Sequence, residues 1–198
     1  MVKNDYFNAK KGQIEVICGP MFSGKTEELL RRLNRLKYCN VNYLLFTPII
    51  DTRSPRYATS RNGMKMPSIV VSRSIDIIKY IKNTKKEIGV VAIDEAQFFD
   101  ENLSSICNHL ANERYVVMVS GLDMDFNGKP FPTMKELLVI AEKVIKLKAI
   151  CSICGAEASF TERTNINNKK QIVIGDKNIY SARCRHCHSL SKKHEENN

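Results

Sequence analysis

The chain has 198 residues, which suits one domain or one domain with a small appendage. Hydrophobic residues make up 43% and charged residues 26%, ordinary values for a globular chain that argue against disorder along its whole length. Lys plus Arg number 31 against 21 Asp plus Glu, and the resulting +10 favours anionic partners without choosing between nucleotides and nucleic acid.

The first twelve residues are polar and are expected to be flexible. Ile14–Cys18 is a short apolar run ending at a glycine. Thr26 to Lys37 carries Leu29, Leu30, Leu33 and Leu36 at helical spacing. Val41–Thr47 is strand-like and stops at Pro48, and Asp51–Ser68, rich in Arg, Ser, Thr and Pro, reads as a long loop. Ser74 to Lys82 sets Ile75, Ile77, Ile78 and Ile81 near one helix face. Ile88–Ile93 and Tyr115–Ser120 are continuous apolar runs of strand length, with a helix expected over Glu101–Asn112 between them. A further helix over Phe131–Lys143 and a strand near Val144–Lys148 complete the alternation. Strands apolar on both faces, alternating with helices, imply a parallel sheet covered on both sides.

At Cys151 the composition turns Cys-, Asn- and Lys-rich, with short β-like pieces at Ala158–Thr161 and Gln171–Ile174. This predicts a division into residues 13–150 and 151–190, followed by a frayed polar tail over 191–198. Thr164–Lys170 reads as a loop tip that is mobile in the empty protein. No apolar run approaches the ~20 residues that span a bilayer, and no signal-peptide stretch opens the chain. The default expectation is a reducing, cytoplasmic setting without membrane contact, where paired cysteines point to metal or catalysis.

Gly19-Pro20-Met21-Phe22-Ser23-Gly24-Lys25-Thr26 matches G-x-x-x-x-G-K-[ST] without a mismatch, between a strand and an amphipathic helix. The glycines let backbone N–H groups turn inward around phosphate oxygens, and the helix N-terminus adds its positive end. Lys25 is placed to reach the β- and γ-phosphates, and the Thr26 hydroxyl to ligate Mg²⁺. The second half of such a site is an acid ending a neighbouring apolar strand, which Ile93-Asp94-Glu95 supplies. Asp94 is placed to hold Mg²⁺, and Glu95 to accept a proton from whatever attacks the γ-phosphoryl group. The pair suits an ATPase that activates water as well as a small-molecule kinase that activates an alcohol.

Cys151-x-x-Cys154 and Cys184-x-x-Cys187 stand 29 residues apart. Two such thiolate pairs make a tetrahedral zinc site with no position left for water, and the metal closes a loop whose own core is too small to hold it. His186 and His188 flank Cys187. Cys18, Cys39 and Cys107 fall on or beside apolar segments and read as small core residues.

Assembled in order, these pieces resemble the type II thymidine kinases, the cellular and bacterial family, from about Gly12 to Leu190. The resemblance is carried by the phosphate loop, Asp51-Thr52-Arg53, Asp94-Glu95-Ala96-Gln97-Phe98-Phe99, Gly121-Leu122-Asp123, Lys129-Pro130-Phe131 and the two Cys pairs. It implies a P-loop (RecA-like) α/β domain, a mostly parallel sheet flanked by helices, and a small C-terminal zinc-ribbon-like domain bearing a lasso loop. It also implies transfer of the γ-phosphoryl of ATP to the 5′-hydroxyl of thymidine with Mg²⁺, a structural Zn²⁺, a homotetramer and feedback by thymidine triphosphate. Carried over, Glu95 resembles the general base, Asp94 the magnesium-side acid, and Arg53 and Gln97 contacts on the nucleotide side. Met21, Leu122, Phe126 and Phe131 resemble the apolar walls of the nucleoside pocket. Gln171, Ile172, Val173, Ile174 and Gly175 fall on the lasso, and Thr161 and Tyr180 resemble further substrate contacts. Arg61 receives no role. The rival reading is a nucleic-acid-dependent P-loop ATPase with a zinc ribbon. Against it stand the short chain and a diffuse charge, with 8 basic and 5 acidic side chains in residues 151–198 and no aromatic-interleaved basic stripe.

Overall fold

The structure is a computed structural model, and it describes residues 11–50, 56–163 and 179–188. Arg53, the loop tip at 164–170 and the lasso residues Gln171, Ile172, Val173, Ile174 and Gly175 lie outside the described residues.

In chain order the elements are β1 (Gln13–Cys18), α1 (Lys25–Leu36), β2 (Tyr43–Pro48), β3 (Tyr57–Thr59), β4 (Lys65–Pro67), β5 (Ile69–Val71), α2 (Ile75–Lys82) and β6 (Val90–Ile93). There follow α3 (Leu103–Asn112), β7 (Val116–Gly121), α4 (Pro132–Ile140), β8 (Lys143–Lys146), β9 (Ala149–Ile150), β10 (Glu157–Ala158), β11 (Phe160–Arg163) and β12 (Tyr180–Arg183). Six strands form one sheet in the order β5-β2-β6-β7-β1-β8, and every pair in it is parallel. The expected parallel α/β sheet is therefore present. One strand, β7, separates β1, which leads into the phosphate loop, from β6, which ends at Asp94.

Both faces of the sheet are covered, which is why the central strands β6 and β7 are apolar apart from Ser120. On one face Ile14, Val16, Val91, Ile93, Val117 and Val119 pack with Ile77 of α2, Leu103, Cys107 and Leu110 of α3, and Met134 and Leu137 of α4. On the other, Ile17, Leu45, Ala92 and Met118 pack with Leu29, Leu30, Leu33 and Leu36, the apolar stripe of α1. Glu27 and Glu28 lie in the first turn of α1, where carboxylates complement the positive end of the helix.

Three departures from the sequence reading have physical causes. The stretch expected to be a loop over 51–68 contains the hairpin β3–β4, in register Ala58↔Met66. Ala58 and Met66 are its buried residues, and they extend the cover that α1 lays over its face of the sheet. Immediately after it, β5 joins the sheet beside β2. The helix expected to reach Lys143 ends at Ile140, and Ala141 turns extended (ψ 133°) so that Lys143–Lys146 can pair with Glu15–Cys18. Cys18 and Cys107 are buried as expected, whereas Cys39 is half-buried in a short 3-10 turn after α1.

Candidate active site and four-cysteine centre

The site is built at the C-terminal ends of β1, β6 and β7, which parallel pairing brings level: Cys18 lies opposite Gly121, and Ile93 opposite Val119. The chain leaves β1 through Gly19, whose φ of 144° and closeness to Leu147 leave no room for a side chain. A Cβ there would lie 2.3 Å from the Leu147 carbonyl oxygen. Phe22 (φ 69°) and Gly24 (φ 83°) are also left-handed, so the loop curls inward before α1 begins at Lys25. Ser23 Oγ and Lys25 Nζ both donate to the Pro20 carbonyl, at 2.8 and 2.7 Å. The Lys25 ammonium is thus stored inside the loop. Burial pushes its pKa below the ordinary lysine value, while Glu95 and Asp94 pull it back up.

Asp94 ends β6 and is buried. The Thr26 hydroxyl donates to it at 2.9 Å, and Ser120, on the intervening strand β7, donates to its other oxygen. Burial, then the neighbouring Glu95, raise the Asp94 carboxyl to about 6. A buried carboxylate with two hydroxyls beside it is a set of hard oxygen donors, which fits Mg²⁺ bound together with phosphate oxygens. Glu95 stands just past the strand with φ 53°, a left-handed backbone that turns its side chain out of the sheet line. Gln97 Nε2 donates to Glu95 Oε2 at 2.6 Å, and Gln97 Oε1 accepts the Leu122 N–H at 2.9 Å. One amide therefore ties Glu95 to the end of β7.

Of the other residues singled out, Met21 and Thr161 come together: the Met21 N–H donates to Thr161 Oγ1 at 3.0 Å. This contact joins the phosphate loop to β11. Phe126 lies in the tight turn between β7 and α4, half-buried, and Leu122 is half-buried at the start of that turn. Tyr180 is buried opposite Arg163 on the paired strands β11 and β12. Phe131 is buried in the main core at the start of α4.

The four sulfurs of Cys151, Cys154, Cys184 and Cys187 lie within 4.8 Å of one another, Cys154 and Cys184 at 3.6 Å. The backbone N–H of Cys154, then that of Cys184, hold the Cys151 thiol down at about 6. Cys184, then burial, push Cys187 up to about 12. Four thiols at this spacing compete for negative charge, and a tetrahedral divalent ion is what lets all four ionise. The apolar cluster around them is small, with Ala149, Cys151, Ala158 and Ala182 buried and Phe22 of the phosphate loop packed against it.

Sequence reasoning assigned no role to three residues of this region. Ser120 is a polar residue closing an apolar strand and touches Asp94. Asp123 is buried and pairs with Lys146 at 2.8 Å. Arg163 carried a signal, since it lies two residues after Thr161 and so shares its face of a strand.

A parallel sheet in this order, with a phosphate loop after β1 and an acid at the end of β6, defines a P-loop nucleotide-binding α/β protein. A clustered four-cysteine module is attached to it. The family described as "Thymidine kinase" matches residues 12–188. The thymidine kinase of Ureaplasma urealyticum is 46% identical over 200 residues, covering 98% of this chain and 90% of that protein. The thymidine kinase of Mycoplasmoides gallisepticum is 43% identical over 199 residues, covering 98% and 88%. Among solved structures, the ATPase DotB of Legionella pneumophila aligns with a TM-score of 0.45 at 11% identity, over 77% of this chain and 45% of that one. That likeness is too slight to argue from. The chain belongs to the thymidine kinase family.

Proposed function

We propose that this protein transfers the γ-phosphoryl group of ATP to the 5′-hydroxyl of thymidine, releasing dTMP and ADP. The observation that supports this chemistry is two adjacent acids at the end of β6: Asp94 accepts from Thr26 of the phosphate loop, and Glu95 accepts from Gln97. Glu95 takes the proton of the attacking hydroxyl as the new O–P bond forms. Lys25 leaves the Pro20 carbonyl for the phosphates, and the loop N–H groups hold the oxygens that gain charge. Thr26 and Asp94 would hold Mg²⁺, which when bound neutralises phosphate charge. Arg53 is proposed on the nucleotide side.

Met21, Leu122, Phe126, Phe131, Thr161 and Tyr180 are proposed to form the nucleoside pocket, closed by the lasso at 171–175. The four cysteines would hold a structural Zn²⁺ that anchors both ends of that lasso. The division into an ATP-binding α/β domain (13–150) and a zinc-binding lasso domain (151–190) belongs to the same reading. So do a homotetramer, feedback by thymidine triphosphate in the nucleoside cleft, and a cytoplasmic setting. Among the described residues, no helix is long and apolar enough to cross a membrane. The nucleic-acid-dependent ATPase alternative is left without support by the family membership.

The test is incubation with Mg·ATP and each nucleoside in turn. Thymidine-dependent ADP release with matching dTMP is expected, without added nucleic acid. ATP hydrolysis that requires DNA or RNA, with no dTMP, would overturn the proposal.

A further inference from the structure

A buried arginine occupies the space between two aromatic residues of the proposed nucleoside pocket. Arg163 is 7% exposed. Its guanidinium carbon lies 3.9 Å from the centroid of the Phe126 ring and 5.5 Å from that of Tyr180. Its Nη2 also donates to the Tyr180 hydroxyl at 3.0 Å. These contacts join two segments far apart in sequence, the β7–α4 turn and β12. Arg163 itself sits on β11, directly across from Tyr180 in the ladder.

The turn that carries Phe126 is stiff. Asp125 Oδ1 accepts from the Asn127 and Lys129 N–H groups at 2.8 and 2.9 Å, and Met124 bridges to Pro130. Backbone order alone does not set the ring plane of Phe126, however, because its side-chain torsions stay free. The guanidinium lying on its face does. A planar cation can cover a ring and still donate in its own plane to a phenol, which a lysine ammonium cannot do at once. The same strand face carries Thr161, which accepts the Met21 N–H, so β11 touches the phosphate loop and the nucleoside side together.

We infer that Arg163 is a positioning residue for nucleoside binding: it sets the Phe126 ring and the Tyr180 phenol in the orientation that the base and sugar meet. This rests on the reading of Phe126 and Tyr180 as pocket residues. Arg163 acts through these two rings rather than on ATP, so its loss falls on thymidine affinity.

The test is steady-state kinetics on zinc-loaded full-length protein for wild type, R163M, R163K, F126L and the double variant R163M/F126L. R163M keeps the stem and removes the planar cation. Losing the ring contact and the phenol hydrogen bond is expected to raise KM for thymidine roughly five- to thirty-fold. KM for ATP and kcat should stay within about threefold, the signature of lost nucleoside binding. R163K should fall between wild type and R163M. In the F126L background, R163M should cost less than in the wild type, because part of what Arg163 acts through is already gone. A folded R163M with unchanged thymidine KM, equal rises in both KM values, or purely multiplicative effects with F126L would overturn the inference. If R163M does not fold, R163K decides by the same two KM values. A wild type that releases no ADP with thymidine would sink the pocket reading and this inference with it. An active wild type indifferent to R163M and R163K sinks the inference alone.

Discussion

Gln97 uses both ends of its amide to fix one carboxylate. Its Nε2 holds Glu95 and its Oε1 holds the Leu122 N–H, so the proposed base is tied through its own loop to the end of the neighbouring strand. Replacing Glu95 by Gln should lower kcat by roughly 10²–10⁴-fold while both KM values change little, as read by initial rates. Asp94 makes the opposite bargain with stability. Its folded pKa of about 6 lies above the ordinary 3.8, so the folded state binds the proton more tightly. The stability this lends is full below 3.8 and is lost as pH rises through about 6. In Mg²⁺-free buffer Asp94→Asn should therefore melt higher than wild type at pH 8, by on the order of 1–3 kcal/mol, and by less at pH 5. Thermal melts at the two pH values decide this, and a variant less stable at pH 8 would contradict it. Asp94 and Glu95 were legible in the sequence because an apolar strand ending in two acids is a local pattern. The roles of Ser120 and Gln97 were not, since each depends on which strand folds beside β6.

At the level of elements, the ends of β6 and β7 are packed to the limit. A Cβ on Gly121 would sit 2.6 Å from Met134 Sδ and 2.9 Å from Gln97 Oε1. The thioether can swing aside, but the Gln97 oxygen is fixed by the Leu122 N–H. Gly121→Ala should thus disturb Glu95 through Gln97 and lower kcat by roughly tenfold or more, whereas a packing error of ~1–3 kcal/mol alone would lower stability and leave kcat unchanged. Kinetics set against a denaturant melt separate the two effects. The long, periodic elements were readable: the leucine stripe of α1 and the continuous apolar runs of β6 and β7 appear where expected. The hairpin β3–β4 and β5 were not, because three-residue strands carry too few side chains to show a period. The end of α4 was overrun because Val139, Ile140 and Ala141 stay apolar, and only pairing with β1 turns the chain there.

On the scale of the whole molecule, the apolar cluster around the four sulfurs is small among the described residues: Ala149, Cys151, Ala158 and Ala182 are its buried members. Short ladders and the sulfur cluster itself stand beside it. Purified protein is expected to carry about one zinc per chain. Cys184→Ser should lose the metal and lower the melting temperature, with thymidine KM rising, while elemental analysis and melts report the first two directly. The sequence revealed this module through spacing alone. It did not reveal that Thr161 would hold the Met21 N–H, or that Phe22 would pack on the cluster, because contacts between separate units leave no periodic trace.

The place of β1 in the sheet has a further consequence for how the chain acquires its shape. Gln13–Cys18 pairs with Val116–Gly121 on one side and Lys143–Lys146 on the other, and with nothing near it in sequence. During synthesis β1 therefore waits for its ladder partner until Val116–Gly121 has emerged. Its apolar residues Ile14, Val16 and Ile17 wait exposed, or in the care of a chaperone, through that interval. Leu147 closes against Gly19 and donates its N–H to the Cys18 carbonyl at 2.8 Å, so this packing of the phosphate loop forms only after residue 147 has been made.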